Sequence, residues 1–144
     1  MSLVFIRQLK GRLFGLNRSL GRDMALLANI LKNQNKIECV MRDFKCDFSQ
    51  SSSSVANNMY AFDLCAMYMA QIGESVKLLT NETKSVVSQE IDLSVLRYFR
   101  NMIDHAYDKV NKTYLQAYIQ LMISSSVKKV LRDRYIYCTK NKRK

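Results

Sequence analysis

The sequence predicts an all-α fold, an antiparallel bundle of four or five helices, and three observations carry that expectation. No proline occurs in 144 residues, so nothing in the chain forces a helix to break. Apolar residues recur at steps of three and four through most of the chain, the period of a helix with one buried face. The hydrophobic share, 48%, is enough for one packed core, and the length suits one domain.

The elements follow in order. MSLVFIRQLKGRLFGLNRSLGR carries Arg7, Lys10, Arg12, Arg18 and Arg22 without an acidic residue, and sets Phe5, Leu9, Leu13, Leu16 and Leu20 at helical spacing. Residues 1–21 therefore read as a basic amphipathic helix docking on the domain or on anions. An organelle-targeting presequence, or an extension that orders with a partner, has the same composition. Gly11, Gly15 and Gly21 weaken it as an isolated helix, which leaves a frayed tail as a further reading. A helical domain is expected over residues 22–138, and a basic tail ending in KNKRK closes the chain over residues 139–144.

Within the domain, Leu27, Ile30, Ile37, Met41 and Phe44 predict a helix from Arg22 to Phe44. SQSSSS, Ser49 to Ser54, has neither core-forming nor charged residues and reads as a loop whose last serine can cap the next helix. Val55, Met59, Phe62, Ala66, Met69, Gly73 and Val76 then alternate steps of four and three. Gly73 on that stripe marks a point where a neighbouring backbone can come close. TNETKSVVSQE is expected to be a connection with one helical turn, and Asp92 or Ser94 to cap the helix after it. Lys112 to Cys138 reads as one long final helix with Leu115, Ile119, Met122, Val127, Val130 and Leu131 inward.

Composition narrows the chemistry. The net charge of +11 and pI near 9.7 favour nucleic acid, an anionic membrane surface or an acidic protein as partner, as readily as a merely solvated surface. Cys39, Cys46, Cys65 and Cys138 form no C-x-x-C pair, and no secretory signal is evident. They are expected to be reduced thiols in a cytoplasmic protein. With a single histidine and those spacings a zinc site is not expected. No phosphate loop, dinucleotide fingerprint or convincing helix-turn-helix is present, and no apolar run is long enough to span a bilayer. No metal and no cofactor is expected.

RNMIDHAYDKVN, Arg100 to Asn111, holds that histidine. Unrolled at about 100° per residue, Leu96, Phe99, Ile103, Ala106 and Val110 form the buried stripe. Arg97, Arg100, Asn101, Asp104, His105, Tyr107 and Asp108 fall away from it, so His105 is expected outside the core. Arg100 and His105 stand about 140° apart on such a helix, and one helix does not aim both at one atom. Two copies facing each other would line one cleft with two of each.

Arg100, Asn101, His105 and Tyr107 together make R-N-x-x-x-H-x-Y, and QIGES, Gln71 to Ser75, lies one helix upstream. This combination, over residues 22 to 135, resembles the HepT-like branch of the HEPN-domain ribonuclease toxins. Two features depart from that family: Leu96 to Phe99 contain no tryptophan, and Asp104 stands where an apolar or small residue is commoner.

The resemblance implies a HEPN-like bundle and a metal-independent endoribonuclease toxin of a toxin–antitoxin pair, acting as a homodimer on an RNA substrate. It implies Arg100, His105 and Asn101 as catalytic residues, with Glu74 and Asp104 as possible accessories. It further implies Tyr107 as the acceptor of AMP from a cognate minimal nucleotidyltransferase antitoxin of the MntA type, which silences the toxin. The residue types suit that chemistry. RNA supplies its own 2′-hydroxyl nucleophile, so a base, an acid and a cation on the phosphate suffice. Imidazole is the side chain that changes charge near neutrality, and guanidinium forks onto two phosphate oxygens. Asn101, one turn before His105, can orient the ring. Asp104, one turn from Arg100, favours the alternative of a catalytically inactive HEPN domain that binds a nucleotide or RNA or serves as a nucleotidyltransferase partner.

Overall fold

A computed structural model describes residues 3–46 and 58–142, with side chains from residue 19 onward. Among these residues it contains six α-helices and no strand. They are α1 (Leu3–Asp43), α2 (Met59–Lys77), α3 (Asn81–Val87), α4 (Leu93–His105), α5 (Lys112–Met122) and α6 (Ser125–Asn141), with a 3₁₀ turn, Tyr107–Lys109, after α4. The bundle is all-helical as expected, with one helix more than the upper expectation.

Side-chain pairs fix the relative directions. From α1, Arg22 reaches the carbonyl of Leu78, and Asn29 reaches the hydroxyl of Ser75, so α1 and α2 run in opposite directions. Glu38 pairs with Lys128, while Asp23 meets Thr83, which Arg134 also contacts; α1 and α6 are therefore antiparallel too. Gly73 meets Arg100 and Asp63 meets Tyr107, which sets α4 antiparallel to α2. Leu27, Ile30, Phe62, Met69, Leu115 and Ile119 are fully buried between these helices.

Helix α1 is continuous through residues 21 and 22, and Leu20 already belongs to the core, so the expected junction at residue 22 falls inside an element. Its C-terminal turn closes through Lys45, at φ 52°, and Phe44 lies outside the helix and exposed rather than on the buried stripe. Met59 is likewise exposed, whereas Phe62, Ala66, Met69, Gly73 and Val76 are buried as their spacing predicts. Val55 and the serine-rich run Ser49 to Ser54 lie outside the described residues.

The expected single turn after Thr80 is a seven-residue helix, capped by the Thr80 hydroxyl on the Thr83 amide. Asp92 caps α4, accepting from the amides of Ser94 and Val95. The Ser94 hydroxyl, followed by these amides, holds the Asp92 carboxyl below its usual range. The expected helix from Lys112 to Cys138 is two helices, because Ile123 and Ser124 leave helical geometry between α5 and α6. There the buried amide of Gln34 donates to the carbonyl of Met122 at 2.6 Å, satisfying an acceptor that the end of α5 leaves free. Among the described residues no helix is long and apolar enough to cross a membrane.

Candidate active site

The site is built where α4 lies on α2. Gly73 has no β-carbon, and the stem of Arg100 occupies the space: a Cβ there would stand 3.0 Å from Arg100 Cβ and 3.3 Å from its Cδ. The close approach expected at Gly73 is thus made by a side chain and not by a backbone. The next residue on α2, Glu74, takes the guanidinium end, with Nη2 to Oε2 at 2.5 Å. The glycine and the acid of QIGES therefore have linked roles, one admitting the arginine stem and the other holding its head.

Two α4 neighbours complete the surroundings of Arg100. Asp104, one turn on, brings Oδ2 to 3.8 Å from Nε, and the Asn101 side-chain oxygen accepts from Nη1 at 3.5 Å. Nε itself is buried and has no hydrogen-bond acceptor. The arginine side chain is 20% exposed. An unfilled donor on a mostly buried cation is costly unless an anion or water reaches it.

His105 is the last residue of α4, exposed as expected, and its imidazole makes no hydrogen bond or ion pair among the described residues. The helix stops there because Ala106 turns to φ −153°, ψ 46°. This corrects the reading of the motif as one unbroken helix to Val110: Val110 reaches the core beyond a 3₁₀ turn, while Ile103 and Ala106 are half-buried. It also moves Tyr107, which the sequence set on the helix face away from the buried stripe. Its half-buried ring packs against the core, and its hydroxyl donates to Asp63 Oδ1 at 2.5 Å. Burial, then the Asp63 carboxylate, pushes the phenol well above its usual range, so it stays protonated at neutral pH.

Between α2 and the end of α4 lies an open groove of about 640 Å³. Asp63, Glu74, Asp104 and Tyr107 line it, with Met67 and Ile103 among its apolar walls. Of the residues singled out in sequence, Arg100, Glu74, Asp104 and Asn101 are brought together, and Tyr107 shares their groove. His105 stands apart from this cluster. Sequence reasoning missed Asp63 as a partner of Tyr107; its only signal was a lone charge in an otherwise apolar run.

No group of three His, Cys, Asp or Glu side chains among the described residues is arranged to hold a metal ion. None of the four cysteines is in a disulfide, and burial pushes the Cys65 thiol up to about 12, which leaves it unreactive as a nucleophile. No protein-family model, curated protein or solved structure matches this chain, so the case for its chemistry rests on its own residues.

Proposed function

We propose that the chain is a HEPN-like, metal-independent endoribonuclease toxin whose active centre is completed by a second copy. One observation carries the reading: the two segments behind the resemblance, QIGES and R-N-x-x-x-H-x-Y, meet through Gly73, Glu74 and Arg100. A guanidinium held by Glu74, and on the same helix an unengaged imidazole that a second copy can bring to it, are the groups that transesterification at an RNA phosphate asks for. In this reading Arg100 steadies the charge developing on the phosphate, and His105 moves the proton of the 2′-hydroxyl or the leaving 5′-oxygen. Asn101 is a positioning residue.

Regulation follows at Tyr107. A cognate minimal nucleotidyltransferase would bring ATP, in the cytoplasm, to the groove of a chain over which no second copy has yet closed. The Tyr107 oxygen attacks the α-phosphorus, the bond to the β-phosphate breaks, pyrophosphate leaves, and Asp63 accepts the phenolic proton. The resulting phosphodiester adds bulk and negative charge beside the carboxylates that hold Arg100, and RNA is excluded without refolding.

The test is cleavage of a labelled RNA in EDTA. Products ending in 2′,3′-cyclic phosphate are expected, and His105→Ala and Arg100→Ala should each slow the reaction by about 10²-fold or more. Activity lost with EDTA, or unaffected by both substitutions, would overturn the proposal. A second reading has its own support: Arg100 already faces Glu74 and Asp104, as it would in an inactive HEPN domain that only binds RNA or a nucleotide or serves the nucleotidyltransferase. Binding without cleavage would select it.

A further inference from the structure

On the side of Arg100 away from the acidic groove, the surface has the opposite sign. Lys77 at the end of α2, Lys84 on α3, and Arg97 and Arg100 on α4 line a cavity of about 100 Å³ whose apolar wall includes Val76, Leu93 and Leu96. Arg97 and Arg100 are three residues apart and so share one helix face. No carboxylate lines this cavity, and among the described residues Lys77, Lys84 and Arg97 have no ion-pair partner. Four cations from three helices repel one another, and only Arg100 has carboxylates of the chain to offset that repulsion. The buried Nε of Arg100 has no hydrogen-bond acceptor, its nearest carboxylate being Asp104 at 3.8 Å.

We infer that this cavity is a phosphate subsite for single-stranded polynucleotide, holding a backbone phosphate next to the one that Arg100 and His105 address. The space admits a tetrahedral phosphate. Its apolar wall lowers the local polarity, which strengthens each charge–charge interaction. The opposite groove, lined by Asp63, Glu74 and Asp104, repels the same backbone, so the strand is steered to approach Arg100 from the lysine side. The inference deepens the ribonuclease reading and rests on it for the identity of the polyanion.

The experiment measures binding of a fluorescent 2′-O-methyl oligoribonucleotide, which cannot be cleaved, across a salt series. Neutralising Lys77, Lys84 and Arg97 together to alanine should weaken binding at least about tenfold near 0.1 M salt. The salt slope should fall by roughly 0.7, the share of the one phosphate no longer neutralised. A control that removes Lys32, Arg132 and Lys140, equal in charge and outside the cavity, should keep most of the affinity. Arg97→Glu alone, at an exposed position, guards against a folding defect in the triple variant and should weaken binding likewise. Equal losses in the two triple variants would overturn the subsite in favour of diffuse attraction. So would tight binding of a mononucleotide or inorganic phosphate, abolished in the cavity variant, with no affinity for the oligonucleotide. Unchanged KM for cleavage in the cavity variant, with His105→Ala inactive, would sink the subsite and leave the ribonuclease standing; binding abolished in that variant with no RNA ever cut would do the reverse.

Discussion

The missing β-carbon of Gly73 governs where Arg100 can lie. Alanine is favoured over glycine within a helix by about 1 kcal/mol, yet at this position it would press on the Arg100 stem at 3.0 Å, and overpacking costs roughly 1–3 kcal/mol. Gly73→Ala is therefore expected to be neutral to destabilising, and Gly73→Val to cost about 2 kcal/mol or more. Gly21 supplies the contrast, since nothing lies within 4 Å of a Cβ there. Gly21→Ala should stabilise by up to about 1 kcal/mol. Urea denaturation of the three variants checks both signs; a stabilising Gly73→Val would mean that Arg100 is not wedged against α2. In sequence, the glycine on the stripe announced a close approach but could not name its partner, because α2 and α4 meet only in the folded chain. Tyr107 was legible for the same reason it was misplaced: the motif names it, while its bond to Asp63 depends on a helix break that Ala106, a strong helix former, does not signal.

Among the elements, α3 depends most on its neighbours, for seven residues do not sustain a helix alone. Asp23 on α1, fully buried, accepts the Thr80 amide at 3.0 Å and the hydroxyls of Thr80 and Thr83 at 2.6 Å each. Arg134 on α6 donates to the same Thr83 hydroxyl at 3.0 Å. One carboxylate thus pins the start of α3 to α1, and through Thr83 to α6. Asp23→Ala leaves three donors without this acceptor in a buried place, at about 1–3 kcal/mol each before relaxation, so a loss of roughly 3 kcal/mol or more is expected by denaturant melting. A loss below about 1 kcal/mol would show that water replaces the carboxylate. The sequence does not announce this role, because Asp23 follows Arg22 in a basic segment and looks like a solvated end. The long stripes of α1 and α2 were readable, since their burial follows from periodicity alone; the split between α5 and α6 at Ile123 and Ser124 was not, since the apolar period runs on across it.

For the whole molecule, the charge of +11 is unevenly spread. The groove beside Tyr107 carries Asp63, Glu74 and Asp104, with Met67 exposed and Ile103 half-buried at its apolar walls. We expect a two-fold dimer to close over this face, burying at least about 1,200 Å² in total. Apolar contacts drive it, and the carboxylates of the two copies oppose it. Added salt should therefore strengthen the dimer while weakening RNA binding, since screening removes like-charge repulsion in one case and attraction in the other. Light scattering at micromolar concentration across a salt series reads the first trend, and Met67→Asp with Ile103→Asp should give a monomer with no ribonuclease activity. Dimerisation also makes the division of labour testable. If Arg100 of one copy works with His105 of the other, mixing inactive Arg100→Ala and His105→Ala proteins yields heterodimers holding one complete pair, and part of the activity returns. No recovery, in a mixture shown by mass spectrometry to exchange subunits, would mean that each arginine serves the histidine of its own chain. A monomeric variant that still cuts RNA would dismiss the composite centre altogether, for the exposed His105 and the wedged Arg100 would then have to meet within one chain, against the angle their own helix sets between them.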